Sequence, residues 1–117
     1  MTIQFELNFL PPSLNNCFPT SRSGHRYVSD RYKLYRDLFH ANTLRIKPKQ
    51  AMLGDLRLEV DYYFADRRKR DLDNYLKPTI DCLVECGFMQ DDSQITQIIA
   101  NKCKGKDCTV IRISEVM

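Results

Sequence analysis

The chain has 117 residues, of which 43% are hydrophobic and 28% are charged, and its formal net charge is +3. This length suits one domain with a modest core, and so small a net charge excludes a protein that coats nucleic acid through general basicity. No apolar segment approaches the roughly 20 residues of a membrane-spanning helix, and the first residues lack the positive region of a signal peptide. We therefore expect a soluble intracellular protein with one domain over residues 1–117.

The N-terminal segment predicts a strand, because apolar and polar side chains alternate over residues 2–9. Pro11 and Pro12 end this strand. The polar segment that follows, residues 11–29, is too long to be a simple connection between two elements. Its composition favours a disordered surface loop, although its basic residues could reach phosphate.

A helix is predicted after Ser29 and Asp30, which form a suitable N-terminus, and before Pro48, which closes the segment. Its expected apolar face consists of six residues at helical spacing: Leu34, Tyr35, Leu38, Phe39, Asn42 and Ile46. The basic residues on the rest of this helix are more consistent with a solvated face than with specific DNA contacts.

A second strand and a second helix are predicted in the middle of the chain. Residues 56–64 alternate as a half-buried strand, and a helical period of apolar residues begins at Leu72. Two aspartates two residues apart lie about 200° apart around a helix. Asp71 and Asp73 can therefore serve one site only if they lie where the strand passes into the helix.

The second helix should carry a polar face of ionisable residues. Asp73, Lys77 and Asp81 follow one another at i, i+4 and i+8, with Asn74 beside them. Pro78 interrupts the backbone hydrogen bonding of a helix, so we expect an irregular or kinked first turn.

Two β-branched strands are predicted in the last third, over residues 94–103 and 108–116, and the Gly105 turn between them suits a hairpin. The element order is then β-α-β-α-β-β. We expect an α+β fold in which two helices pack on one mixed sheet.

Two further acids, Asp91 and Asp92, precede the third strand. They approach Asp71 and Asp73 if the third strand lies beside the second, and the four acids could then share a metal ion. Their other role would be turn formation and solvation, in which aspartate is common.

The five cysteines favour free thiols in a reducing compartment. Cys82 and Cys86 lie one helical turn apart, and Cys103 and Cys108 flank a turn, so a zinc site is conceivable. The spacings fit common structural zinc sites poorly. We favour small residues that fill a core.

Four consecutive basic residues run directly into the acidic segment: Arg67, Arg68, Lys69 and Arg70. Carboxylate oxygens hold hard divalent cations such as Mg²⁺, and basic residues beside them would hold a polyanion through its phosphates. Acids for a metal beside bases for the substrate are what a metal-dependent nuclease requires.

Residues 68–95, which read RKRDLDNYLKPTIDCLVECGFMQDDSQI, resemble in order and spacing the signature of the RusA-type Holliday-junction resolvases. In that family a D-x-D-N segment follows a strand, a lysine and an aspartate lie on a helix, and a D-D-x-Q segment opens the next strand. Residues 11–16, PPSLNN, also resemble the family's N-terminal loop.

The resemblance implies a homodimer that cuts opposite strands of a four-way DNA junction symmetrically, using Mg²⁺ or alternatively Mn²⁺, in a bacterial or phage-infected cytoplasm. It implies metal-binding, catalytic roles for Asp71, Asp73 and Asp92, with Asp91 as a neighbouring acid and Lys77 near the scissile phosphate. It further implies DNA contacts by seven residues: Arg67, Arg68, Lys69, Arg70, Asn74, Asn15 and Asn16.

Two other classes of function are compatible with these residues. One is a branched-DNA-binding protein without cleavage activity, although binding alone gains nothing from acids placed at a phosphate. The other is an interaction module in which the aspartates only cap and solvate. Such a module would show no dependence on divalent ions and would tolerate Asp73→Asn.

Overall fold

The computed structural model describes residues 1–116, which form a four-stranded mixed sheet with helices packed against one face. In chain order the elements are β1 (Thr2–Leu7), α1 (Leu14–Cys17), α2 (Asp30–Thr43), β2 (Leu56–Phe64), α3 (Asp73–Glu85), β3 (Ile95–Lys104) and β4 (Cys108–Glu115). A 3₁₀ turn at Asp92–Gln94 precedes β3. The expected α+β class with one mixed sheet is confirmed, and α1 is an additional short helix.

The strand order is β1-β4-β2-β3, with β3 parallel to β2 and β4 antiparallel to both of its neighbours. The prediction of a hairpin between the last two strands is wrong, because β2 lies between β3 and β4 in the sheet. The link after β3 crosses the end of β2, where Gly105 N–H donates to Phe64 O at 3.3 Å and Ala65 N–H donates to Asp107 Oδ1 at 2.8 Å. Core burial explains the order, since β4 carries the fully buried Ile111 and Ile113 and so belongs in the centre.

The apolar side of α2 is the expected one only in part, because Tyr35 and Phe39 are buried as predicted whereas the leucines are not. Its buried residues are Tyr32, Tyr35, Phe39 and Thr43, whereas Leu34 is 61% exposed and Leu38 and Ile46 are each 39% exposed. The aromatic residues also recur at helical spacing, and they bury more surface than leucine does. The aromatic rings of α2 pack against rings from the sheet and the N-terminal loop. The ring pairs are Phe5–Phe39, Phe9–Tyr35 and Phe18–Tyr32.

The segment expected to be a disordered loop is ordered and partly buried. Cys17 in α1 has no exposed surface, and Phe18 packs edge-on against Tyr32 at a centroid distance of 5.2 Å. Ser29 N–H donates to Cys17 O at 2.9 Å, so the end of the segment folds back on its beginning. The few apolar side chains of this polar stretch therefore hold it against the core.

The helix α3 is fastened to the sheet by a buried hydroxyl network. Tyr62 Oη on β2 donates to Tyr75 O at 3.1 Å and lies 2.8 Å from Thr79 Oγ1, which also donates to Tyr75 O. The first turn of α3 is tight, because Asn74 N–H and Tyr75 N–H donate to carbonyls three residues earlier. The expected irregular start of this helix is confirmed.

All five cysteines are free. Cys82 on α3 and Cys86 at its C-cap are buried in the core, while Cys103 and Cys108 are half-buried at the end of the sheet. The expectation of thiols that fill space is confirmed for the helical pair. In the part of the chain that the structure describes, no helix is long and apolar enough to cross a bilayer.

The end of α3 predicts a measurable cost for one glycine substitution. Gly87 has φ +87°, Gly87 N–H donates to Val84 O, and Phe88 N–H donates to Leu83 O, which together form a Schellman motif. An added Cβ at Gly87 would meet no atom within 4 Å, so only the backbone conformation opposes it. We expect Gly87→Ala to lower the free energy of unfolding by about 1 kcal/mol, measured by urea denaturation. Gly87→Asn should lose less, since asparagine tolerates this conformation, and equal losses would contradict the explanation.

Candidate active site

An acidic cleft lies where the polar face of α3 meets the start of β3. Three carboxylates from two elements line it, Asp73 and Asp81 from α3 and Asp92 from the 3₁₀ turn, and its volume is about 230 Å³. Lys77 lies in the same cleft, and Ile98 of β3 is part of its apolar lining. The parallel pairing of β3 with β2 brings Asp92 to α3, as the sequence predicts if the third strand lies beside the second.

The expected polar face of α3 is confirmed. Lys77 Nζ lies 3.2 Å and 3.3 Å from the two carboxylate oxygens of Asp81, one helical turn further along the chain. The lysine side chain is 56% exposed, so this ion pair contributes at most a few tenths of a kcal/mol. Its positive charge offsets the repulsion between carboxylates in the cleft.

A second cleft adjoins the first and shares two of its acids. Asp81, Asp91 and Asp92 line it together with Glu85, in a volume of about 280 Å³. Several carboxylates therefore converge on the partly apolar surface between α3 and the 3₁₀ turn. These are the ligands that hard divalent cations prefer.

Asp91 has a structural role in the turn that carries Asp92. Its carboxylate accepts hydrogen bonds from the backbone N–H of Ser93, at 3.1 Å, and from the Ser93 hydroxyl. These hydrogen bonds lower the pKa of Asp91 below its ordinary value. The role in turn formation that the sequence allowed for Asp91 is present.

Gln94 is a positioning residue that sequence reasoning missed. Its Oε1 accepts from the N–H groups of Gln90 and Asp91 at 2.8 and 3.1 Å, which completes a capping box with Asp91. Its Nε2 donates to Met52 O and Gly54 O at 2.9 and 3.0 Å, so it ties the turn to the loop before β2. The glutamine of the D-D-x-Q pattern was the available signal, but its partners are distant in sequence.

Asp71 lies outside both clefts and is exposed. Its backbone carbonyl accepts from Asn74 N–H in the first turn of α3. Among residues 1–116, no group of three or more His, Cys, Asp or Glu side chains is arranged to hold a metal ion. The oxygen donors of Asp73, Asp81 and Asp92 nonetheless have the chemistry that suits a hard cation, and a convergence of Asp71 with Asp73 and Asp92 stays a prediction.

The N-terminal asparagines are on a helix that contacts α3. Asn15 and Asn16 are exposed on α1, and the next residue, Cys17, is buried against this side of the core. Burial raises the pKa of the Cys17 thiol to about 11, and the Asp81 carboxylate adds to the shift. The contacts between α1 and α3 place α1 beside the helix that carries Asp81.

The four consecutive basic residues line a groove of about 380 Å³, together with Phe64, Asp66 and the end of β3. We call this the basic groove, formed by Phe64, residues 66–70 and residues 102–104. Arg70 is held inside it, since its guanidinium lies 4.4 Å from the Phe64 ring centroid and donates to both oxygens of Asp66 at 2.5 and 2.9 Å. The side chain of Arg70 is only 13% exposed, whereas Arg67, Arg68 and Lys69 are exposed.

Comparison with known proteins associates this arrangement with one family. The family model described as "Endodeoxyribonuclease RusA" matches residues 9–114. A "Crossover junction endodeoxyribonuclease rusA" of Enterobacteria phage HK97 is 37% identical over 95 residues, which cover 81% of this chain and 78% of the relative. The protein of that name from Escherichia coli strain K12 is 38% identical over 90 residues, covering 73% of this chain and 70% of the relative. The one from Enterobacteria phage 82 is 35% identical over 89 residues, with the same coverage.

Proposed function

The chain belongs to the RusA family of endodeoxyribonucleases, and on this basis we propose that it resolves four-way DNA junctions by paired symmetric nicks. The observation that carries the proposal is the meeting of Asp73, Asp81 and Asp92 with Lys77 in one cleft. A basic groove on the same chain supplies the complementary charge for the phosphate backbone. Its relatives come from phages and Escherichia coli, which supports action in the cytoplasm of a bacterial or phage-infected cell.

The carboxylates of Asp73 and Asp92, joined by Asp71, are the proposed ligands of a divalent cation, Mg²⁺ or alternatively Mn²⁺. Such a cation supplies an activated water molecule and polarises the phosphoryl oxygens. Lys77 is proposed to stabilise negative charge on the phosphate. Its ion pair with Asp81 is exposed, so the lysine can exchange this carboxylate for a phosphate oxygen. Asp91 acts by holding the turn that presents Asp92.

The DNA backbone is proposed to contact the exposed cations of the basic groove: Arg67, Arg68 and Lys69. Arg70 contributes mainly by holding the loop in shape through Asp66 and Phe64. Asn15, Asn16 and Asn74 are proposed to donate amide hydrogen bonds to phosphate oxygens.

The proposed working unit is a homodimer. A chain of 117 residues carries one acidic surface of this kind within its described part, while symmetric resolution requires two cuts on opposite strands. A two-fold dimer presents two identical sites with the symmetry of the junction.

The test is incubation of the purified protein with a labelled four-way junction, in Mg²⁺ and in EDTA. We expect paired nicks at symmetric positions that require Mg²⁺, and we expect Mn²⁺ to replace it. Tight junction binding without nicks in either metal would favour a binding protein without cleavage activity. A folded protein that neither binds nor cuts would contradict the proposal.

A further inference from the structure

The far end of β3 adds two lysines to the basic groove, and neither belongs to the consecutive basic run. Lys102 and Lys104 line the groove with residues 66–70. The groove contains six basic side chains and one carboxylate, a formal excess of five positive charges, which is more than the +3 of the whole chain. The positive charge of the molecule is thus concentrated on one surface built from two separate elements.

The single carboxylate of the groove, that of Asp66, already has hydrogen-bond partners within the groove. Asp66 accepts hydrogen bonds from the Arg70 guanidinium and from the backbone N–H of Arg68, which hold its pKa well below the ordinary value. Arg70 is in turn stacked on Phe64. Arg68 Nε also lies 3.4 Å from Asp66 Oδ2, although its side chain is 80% exposed. Within residues 1–116, four further exposed cations of the groove make no ion pair and are available to an anion: Arg67, Lys69, Lys102 and Lys104. Because the loop is held by internal contacts, less conformational entropy is lost when it binds.

The register of β3 relates the basic groove to the acidic cleft. Ile98, Lys102 and Lys104 pair with Leu58, Tyr62 and Phe64, so all three lie on the helix-covered side of the sheet. Ile98 lines the cleft of Asp73 and Asp92. At about 3.3 Å per strand residue, Lys102 lies about 13 Å and Lys104 about 20 Å beyond Ile98. At about 3.4 Å per nucleotide along one strand of a duplex, these distances correspond to about four and six nucleotides.

We propose that Lys102 and Lys104, beside Arg67, Arg68 and Lys69, bind backbone phosphates of the DNA arm about four to six nucleotides from the bond that is cut. This inference rests on the proposed function, and it adds the part of the substrate that the groove holds. The ligand is a phosphodiester backbone, because the spaced point charges of the groove match its repeating anions.

A different role for the same lysines is protection of an edge strand. β3 pairs only with β2 among the described strands, and lysine on an exposed edge prevents pairing with another chain. In that case, removal of Lys102 and Lys104 would cause self-association without changing the dependence of DNA binding on salt. The two roles therefore predict different effects of removing the lysines on the salt dependence of DNA binding.

The test measures junction affinity in EDTA, where cleavage is absent, between 50 and 200 mM salt for wild type and for the Lys102→Ala/Lys104→Ala double variant. Loss of two phosphate contacts should reduce the slope of log affinity against log salt by about 2 and lower affinity at 100 mM salt by about tenfold or more. The double variant Lys102→Arg/Lys104→Arg should keep the wild-type slope. A matched control, Lys33→Ala/Lys49→Ala, removes two exposed charges outside the groove and should leave the slope within error.

A second measurement locates the contact on the DNA. Neutral methylphosphonates placed four to six nucleotides from the nick should weaken wild-type binding but have little further effect on the double alanine variant. An unchanged slope in that variant, or an equal loss in the control pair, would overturn the inference while junction binding by the wild type stands. Wild type that fails to bind any junction would instead overturn the proposed function and this inference together. Light scattering on the double alanine variant would detect self-association, which is the result expected if the lysines only protect the edge strand.

Discussion

Asp73→Asn is expected to reduce junction cleavage at least about 100-fold while leaving junction binding intact or tighter. Asp73 is exposed at the first residue of α3 and lines the acidic cleft, so the amide fits without any change in packing. The substitution removes one of the proposed metal ligands. It also removes a negative charge next to the DNA phosphates, which favours binding.

The comparison should include Asp37→Asn, which removes the same charge from the exposed surface of α2. This control should cleave and bind as wild type does. Nick formation in Mg²⁺, junction affinity in EDTA and urea denaturation are measured on all three proteins. An Asp73→Asn protein that loses both binding and stability would mark this aspartate as structural, and one that cleaves normally would exclude it from the active site.

Tyr62→Ala is expected to lower the free energy of unfolding by about 3–5 kcal/mol, the usual range for removing a buried aromatic side chain. Tyr62 is fully buried and its ring packs on those of Phe64 and Tyr75 at centroid distances of 6.4 and 6.0 Å. Its hydroxyl joins β2 to α3 through Thr79. The substitution therefore creates a cavity and releases the helix that carries Asp73 and Lys77.

The adjacent tyrosine provides the control. Tyr63 lies on the opposite face of β2 and is only half-buried, so Tyr63→Ala should cost about 1 kcal/mol. Tyr62→Phe isolates the hydroxyl and should cost about 1 kcal/mol, because Thr79 retains its hydrogen bond to Tyr75 O. Similar losses for Tyr62→Ala and Tyr63→Ala in urea denaturation would show that the helix-covered face is not the core.

Local sequence patterns predicted where each helix and strand lies better than they predicted which elements pack or pair with one another. The strand over residues 56–64 is observed with those bounds, because strict alternation records burial on one face. The buried side of α2 was assigned only in part. Tyr35 is buried as predicted, but Leu34 also fits a helical period and only the tertiary packing excludes it. The prediction of a hairpin at Gly105 was wrong. A short turn constrains the path of the chain, but it does not determine which strands pair.

The site shows the same division. The shared face of Asp73, Lys77 and Asp81 follows from helical spacing alone, and the structure places all three in one cleft. The positions of Gln94 and Lys102 depend on which loops and strands meet in space. The local D-D-x-Q pattern could indicate the capping box of Gln94 with Asp91, but the bonds of Gln94 to Met52 O and Gly54 O span 40 or more residues. Lys102 meets the loop after β2 only in space, so no local pattern could reveal its position.

The position of β4 constrains how the chain reaches this structure. It is the last of the four strands to be synthesised, yet it lies between β1 and β2 and pairs Ser114 with Thr2. While a ribosome has made the chain only as far as Lys104, β1 has no partner strand and the side of β2 that β4 will occupy is open. Loop-closure entropy over more than a hundred residues must then be overcome in one late step. We infer that the acidic cleft acquires a fixed shape only after β4 has been synthesised, and that folding is cooperative and comparatively slow.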